Sequence, residues 1–278
     1  MTGAGILLCV AIVVAAIFWW RQQGLRALRA RREKLMAVPL PEEWRHFLEV
    51  NVPLFNRLPS ELKQQVEGHA QIFLEEKNFE GHDGLEMTNE IRVTIAGQAS
   101  FLLLNQKGFF PDTLRSVIVY PSAYKARTIK PGVGGLYTES EQTVLGQSWD
   151  AGVVVLAWDN TRHSATNPND GHNLVLHEFA HQLDQGSGAA DGTPILRSRD
   201  HYGEWRQAMS QTYGDFLEDT DRGQKTVMDD YGATNPAEFF AVATETFFEK
   251  PRQLKKKRPE LYDELCTYYR TNPLKWAE

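Results

Sequence analysis

The 278-residue sequence predicts an α+β fold, a small mixed sheet enclosed by helices, preceded by one N-terminal transmembrane helix. Three observations carry this. An uninterrupted apolar run opens the chain. Two short β-branched runs, SVIVY and GVVVLAW, stand out as strands. Most other apolar residues recur at three- and four-residue spacing, the period of a helix. With 42% hydrophobic and 24% charged residues the chain has ordinary globular usage, which excludes wholesale disorder and a fibrous repeat. Its two cysteines, Cys9 and Cys266, are too few and too distant for a disulfide framework or a Cys-ligated metal module.

The apolar run GAGILLCVAIVVAAIFWW, residues 3–20, is long enough to reach across a bilayer. A cleaved signal peptide needs positive charge before such a run, and here the positive charge follows it. Arg21, Arg26, Arg29, Arg31, Arg32 and Lys34 stand against Glu33, a net +5. The positive-inside bias then places the rest of the chain on the cytoplasmic side of the inner membrane, with Trp19 and Trp20 at the interface. Three segments result: an anchor over 1–20, a basic juxtamembrane helix over 21–37, and one domain over 38–278. The whole chain carries −6, so residues 35–278 carry −11, and a body this acidic repels phosphate backbones. Direct nucleic-acid binding is excluded as its role.

Within the domain, periodicity predicts helices near 41–50, 59–77 and 88–104, with Ser60 a candidate cap for the second. Residues 116–120 read as a buried strand. Residues 127–148, with Pro131, Gly132, Gly134 and Gly135, read as a loop. A second strand follows over 152–158, then a polar turn-forming tract over 159–171. Helices predicted near 171–185, 200–218, 235–249 and 259–270 complete the chain.

The stretch LVLHEFAHQLD carries the clearest chemistry. His177 and His181, four apart, project from one face of a helix and can share a metal. Glu178 projects about 100° away, too far to ligate but near enough to reach a water on that metal. The flanking Leu174, Val175, Leu176, Phe179 and Ala180 bury the helix, and unpartnered histidines there would be costly. The spacing is that of a catalytic zinc site, which needs a third protein ligand and an open position. Three positions compete for that ligand. Six residues after His181 stands Ser187, which cannot serve as a third histidine. Asp184 is on nearly the same face and suits either direct ligation or, better, support of a ligand histidine by hydrogen bond. Glu238 lies in NPAEFF, where Asn235 caps a helix, Pro236 opens it, and Glu238 could equally be the returning carboxylate of a capping box. Glu245, two turns on from Glu238, reads as a supporting carboxylate, and Glu249 as solvated. His172 could line the cleft.

HEFAHQLD followed by YGATNPAEFFAVATETFF resembles the Mlc titration factor A family of zinc-dependent peptidases. Its active-site pattern is similar to the catalytic domain of anthrax lethal factor, a gluzincin whose third ligand is a Glu on a later helix. LPEEWRHFLEVNVPLFNRLPSEL, EIRVTIAGQASFLLLN, VIVYPSAY and GQSWDAGVVVLAW extend the likeness over about residues 40–270. The resemblance implies a zincin-like domain with one zinc held by His177, His181 and Glu238. It implies hydrolysis of a peptide or protein substrate by water activated at that zinc, with Glu178 as general base and Tyr231 facing the reaction centre. In such enzymes the strand before the metal helix, here 152–158, is the sheet edge on which extended substrate lies. The resemblance also implies a second role, binding and sequestering a transcriptional regulator.

Overall fold

The computed structural model describes residues 3–106, 108–131, 137–144, 146–149 and 152–276. In chain order the elements are α1 (Gly3–Ala37), α2 (Glu42–Asn51), α3 (Pro53–Asn56), α4 (Ser60–Glu76), β1 (Asn78–Gly81), α5 (Asn89–Ser100), β2 (Ser116–Tyr120), β3 (Tyr124–Pro131), β4 (Tyr137–Val144), β5 (Gly146–Trp149) and β6 (Val153–Ala157). There follow α6 (Trp158–Thr166), α7 (Leu174–Gln185), α8 (His201–Asp221), α9 (Pro236–Glu249), α10 (Pro251–Lys257) and α11 (Pro259–Tyr269).

Two features correct the predicted fold class. First, the chain is mostly helical, so α+β overstates the strand content. The main sheet has four short strands in the order β1-β2-β6-β5, and β3 pairs only with β4. The helices hold the larger share because apolar residues at helical spacing far outnumber the two β-branched runs, and even the polar tract after β6 folds as α6. There Thr161 and Ala165, one turn apart, turn inward. Second, among the described residues no helix is long and apolar enough to cross a membrane, which overturns the transmembrane helix. The apolar run is the first half of one helix, α1, which continues unbroken through the basic residues.

The second half of α1 lies on α4. Arg32 forms two hydrogen bonds with the Glu76 carboxylate, each 2.7 Å, and its guanidinium sits 4.3 Å above the Phe109 ring. Arg31 pairs with Glu75, and Met36 packs on Gly68, where a β-carbon would meet its sulfur at 2.6 Å. These two arginines of the predicted basic juxtamembrane helix pair with protein carboxylates.

In the sheet, β1, β2 and β6 are parallel and β5 runs antiparallel to β6. The strand predicted over 152–158 is therefore interior, flanked by β2 and β5, which corrects its assignment as the sheet edge. The predicted loop over 127–148 is instead mostly strand, β3, β4 and β5, although its residues 132–136 and 145 lie outside the described residues. Ser60 falls inside α4, whose preceding residue is Pro59, and makes no capping bond. Alternation puts Val117, Val119, Val154 and Leu156 into the core, where they join Phe73, Phe110 and Phe179. Phe179 lies edge-on to both Phe73 and Phe110 with ring centroids 5.4 and 5.0 Å apart. The same helix turn that buries Phe179 points His177 and His181 the other way, toward α9.

Candidate metal centre

Two capped helices bring the site together. Asn173 caps α7, its side-chain oxygen accepting from Leu176 N at 3.0 Å. Asn235 caps α9 by accepting from Glu238 N at 3.0 Å, and Pro236 opens the first turn with its φ already helical. Glu238 does not close a capping box. Its Oε2 lies 3.0 Å from His177 Nε2 and 3.2 Å from His181 Nε2, and the two Nε2 atoms are 3.2 Å apart.

That triangle is informative. Ligand atoms about 2.0 Å from a tetrahedral ion are about 3.3 Å from each other, and all three sides come close to this. Two imidazole nitrogens facing one another across a single carboxylate oxygen also make a poor hydrogen-bonding arrangement and a good cation cage. His177, His181 and Glu238 are the group of His, Cys, Asp or Glu among the described residues whose donor atoms converge in this way. The donor set fits a metal ion.

The surroundings hold charge in place. Glu245 Oε1 lies 2.7 Å from His177 Nδ1, so that nitrogen carries the proton and Nε2 presents a lone pair to the site. Burial disfavours the charged imidazole of His177, but Glu245 and Glu238 outweigh it and raise its pKa well above the ordinary value. A bound dication would take the place of the second proton, which the charged ring carries on Nε2. Glu238 is partly buried, which alone would raise it, yet the two histidines lower it to about 2. Glu178 is the opposite case. It is 5% exposed, its Oε2 has no protein partner, and burial pushes its pKa up to about 7 against the pull of His177 and His181. A carboxyl poised near neutrality beside a metal group is suited to proton transfer.

Tyr231 stands on a 3-10 turn, Asp230–Ala233, held by Asp229, whose side chain accepts from Tyr231 N at 2.7 Å. Its ring centroid is 6.0 Å from that of His177, and its side chain lies near the Glu238 and Glu178 carboxylates. Partial burial and the Glu238 and Glu178 carboxylates raise its pKa, so the phenol stays protonated and can donate. Asp184 bonds to the loop after α7. Fully buried, it accepts from Gly192 N at 2.8 Å, and Gly192, at φ +81°, packs against the Pro236 carbonyl where any β-carbon would be 2.4 Å away. Asp184 thus ties the loop after α7 to the start of α9. His172 is exposed, 3.5 Å from Asp229.

Three residues of the site escape the sequence reading. Glu249, read as solvated, is 3% exposed and accepts from Gly171 N and Asn173 Nδ2, each at 3.1 Å. Asn173 is hidden because the helix predicted from about residue 171 starts only at Leu174. Gly146, on β5, lies under Glu178, where a β-carbon would meet Oε1 at 2.4 Å. A signal for Glu249 is present: two carboxylates four apart in ETFFE, on a helix otherwise apolar, must have partners.

Comparisons with known proteins place the chain in a family. Residues 25–270 match the model of the glucose-regulated metallo-peptidase M90 family. An uncharacterized protein of Synechocystis sp. is 37% identical over 275 residues, 99% of each chain. The Mlc titration factor A of Yersinia enterocolitica is 32% identical over 237 residues, 84% of this chain and 86% of the relative. That of Yersinia pestis is 30% identical over 235 residues, 84% and 85% respectively. A metallopeptidase family implies a metal, and a His-His-Glu group lies ready for one. The chain therefore belongs to the glucose-regulated metallo-peptidase M90 family, together with the Mlc titration factor A proteins.

Proposed function

We propose that this chain is a zinc-dependent peptidase whose metal is held by His177, His181 and Glu238. The observation that carries the reading is the Glu238 oxygen within 3.2 Å of both imidazole nitrogens, from a helix 57 residues downstream of His181. Zinc bound there would supply Lewis acidity, lowering the pKa of a water and polarising a peptide carbonyl. The chain's own groups do the rest. Glu178 accepts the attacking water's proton at its unpartnered Oε2 and later gives it to the leaving amine. The Tyr231 hydroxyl donates to the oxyanion that develops on the carbonyl. Glu245 keeps the His177 ring in one tautomer.

Substrate binding follows from β5, which replaces β6 as the strand in this role. β5 ends the sheet order and lies along α7 with Gly146 against Glu178. An extended peptide added to its outer edge would be held by backbone hydrogen bonds, tolerating varied side chains. Glu178→Gln should retain the metal and lower turnover of a peptide library about 100-fold or more. Unchanged turnover would remove Glu178 from the reaction.

The name Mlc titration factor A, borne by the Yersinia relatives, supports a second reading, capture of a transcriptional regulator. Capture survives Glu178→Gln, whereas peptide hydrolysis does not.

A further inference from the structure

The two helices that carry the metal group are also locked to each other behind His177, through Asn173, Glu245 and Glu249. Asn173 uses every polar group it has. Its N–H donates to Glu245 Oε2, and its carbonyl accepts from His177 N at 2.9 Å. Its side-chain oxygen caps α7, and its side-chain amide donates to Glu249 Oε1 at 3.1 Å. Glu245 in turn reaches His177 Nδ1 with its other oxygen, and the other oxygen of Glu249 accepts from Gly171 N. Glu245 and Glu249 are one turn apart on α9, and the positive end of the α7 dipole faces both.

Capping alone does not explain this residue. Asp, Ser or Thr would accept from Leu176 N as well as Asn does. An amide offers the acceptor and the donor on two separate atoms, so that Oδ1 caps the helix while Nδ2 reaches the buried Glu249, which a carboxylate or a single hydroxyl does not provide. We propose that Asn173 and Glu249 form a donor–acceptor lock that sets the register of α7 against α9, and thereby places His177 and His181 opposite Glu238. They are positioning residues, acting through Glu245 and the helix frame. This inference rests on the metal-site reading above.

The lock can be reversed. In Asn173→Asp the cap oxygen remains, but a carboxylate oxygen faces Glu249. In Glu249→Gln an amide N–H faces the Asn173 amide or Gly171 N. In the double variant the donor and acceptor exchange places. The amide introduced at position 249 would donate to the carboxylate introduced at position 173, and its oxygen would still accept from Gly171 N. Above about pH 8, where Glu249 is ionised, net charge then equals that of the original chain, and the measurements that follow are made there. Zinc dissociation constants are measured by chelator competition on the full chain, at a temperature where the metal-free proteins are folded by circular dichroism. Each single variant should bind zinc about tenfold more weakly. The double variant should return to within about threefold of the original, reading the lock as intact with its polarity exchanged. Singles that bind as tightly as the original overturn the proposal, as does a double variant no tighter than the weaker single. If the singles do not fold, recovery of both fold and zinc in the double variant supports the lock, and its failure to recover overturns it. An original chain that binds no zinc overturns the metal reading itself, and the lock with it. Zinc held equally by all four proteins overturns the lock alone.

Discussion

Gly146 shows how closely single residues define the reacting group. An added methyl would fall 2.4 Å from Glu178 Oε1 and 2.7 Å from Leu174 Cδ1, too close for either to stay. Gly146→Ala should therefore displace Glu178 and lower peptide turnover by about 10- to 100-fold, because misplacement by about 1 Å costs that much. Bound metal should be unchanged, since the atoms nearest this position belong to Glu178 and Leu174 and not to a donor residue. Loss of metal in that variant would mean that Gly146 supports the helix and not the carboxylate. At this scale the sequence is legible only in part. His177, Glu178 and His181 are readable because one helix turn sets their geometry. Glu238 lies on another helix, where the local pattern fits a capping box equally well, and only likeness to a family separates the two. Asn173, Glu249 and Gly146 act through contacts across 72 to 78 residues or through the near approach of a strand, and no local period encodes these.

Between elements, α7 and α9 meet through buried carboxylates, and this makes stability depend on pH. Burial raises Glu249 from 4.5 to about 8, with Glu245 and Asp170 nearby adding to the effect and the Asn173 and Gly171 donors opposing it. The folded chain then keeps a proton on Glu249 up to about pH 8, whereas the unfolded chain loses it near 4.5. The folded state binds more protons throughout that window, so the contribution to stability falls as pH rises through it. Glu178 and Asp184, raised to about 7 and about 6, slope the same way. The readout is thus a difference: denaturant unfolding of the metal-free protein at pH 5 to 8 should fall less steeply with pH in Glu249→Gln than in the original chain. Equal slopes would place Glu249 in a more hydrated setting. The strands of this region explain what sequence reading misses between elements. β3 and β4 are strongly polar, with residues such as Lys125, Arg127, Glu139 and Glu141, so they give no apolar signal and read as loop. β6 is legible as a strand, but its place inside the sheet depends on β5, a four-residue partner too short to recognise.

Across the whole molecule, the helices of the domain are readable because apolar periodicity there coincides with burial. Predicted spans 41–50, 59–77, 200–218 and 259–270 differ from α2, α4, α8 and α11 by at most a few residues. The N-terminus goes differently. An apolar run followed by arginines has the pattern of a membrane flank, yet Arg31 and Arg32 find Glu75 and Glu76 on α4, residues that no reading of the run itself could bring near. What the assembled domain achieves is the convergence of two imidazoles from α7 with one carboxylate from α9. The most direct test is metal content. The full chain and Glu238→Ala are purified in parallel, equilibrated with zinc, passed through a weak chelator, and analysed by mass spectrometry of the elements. The account predicts about one zinc per original chain and about a tenth of that or less in the variant, because a site left with two histidines binds far more weakly. Equal zinc in both proteins would contradict it.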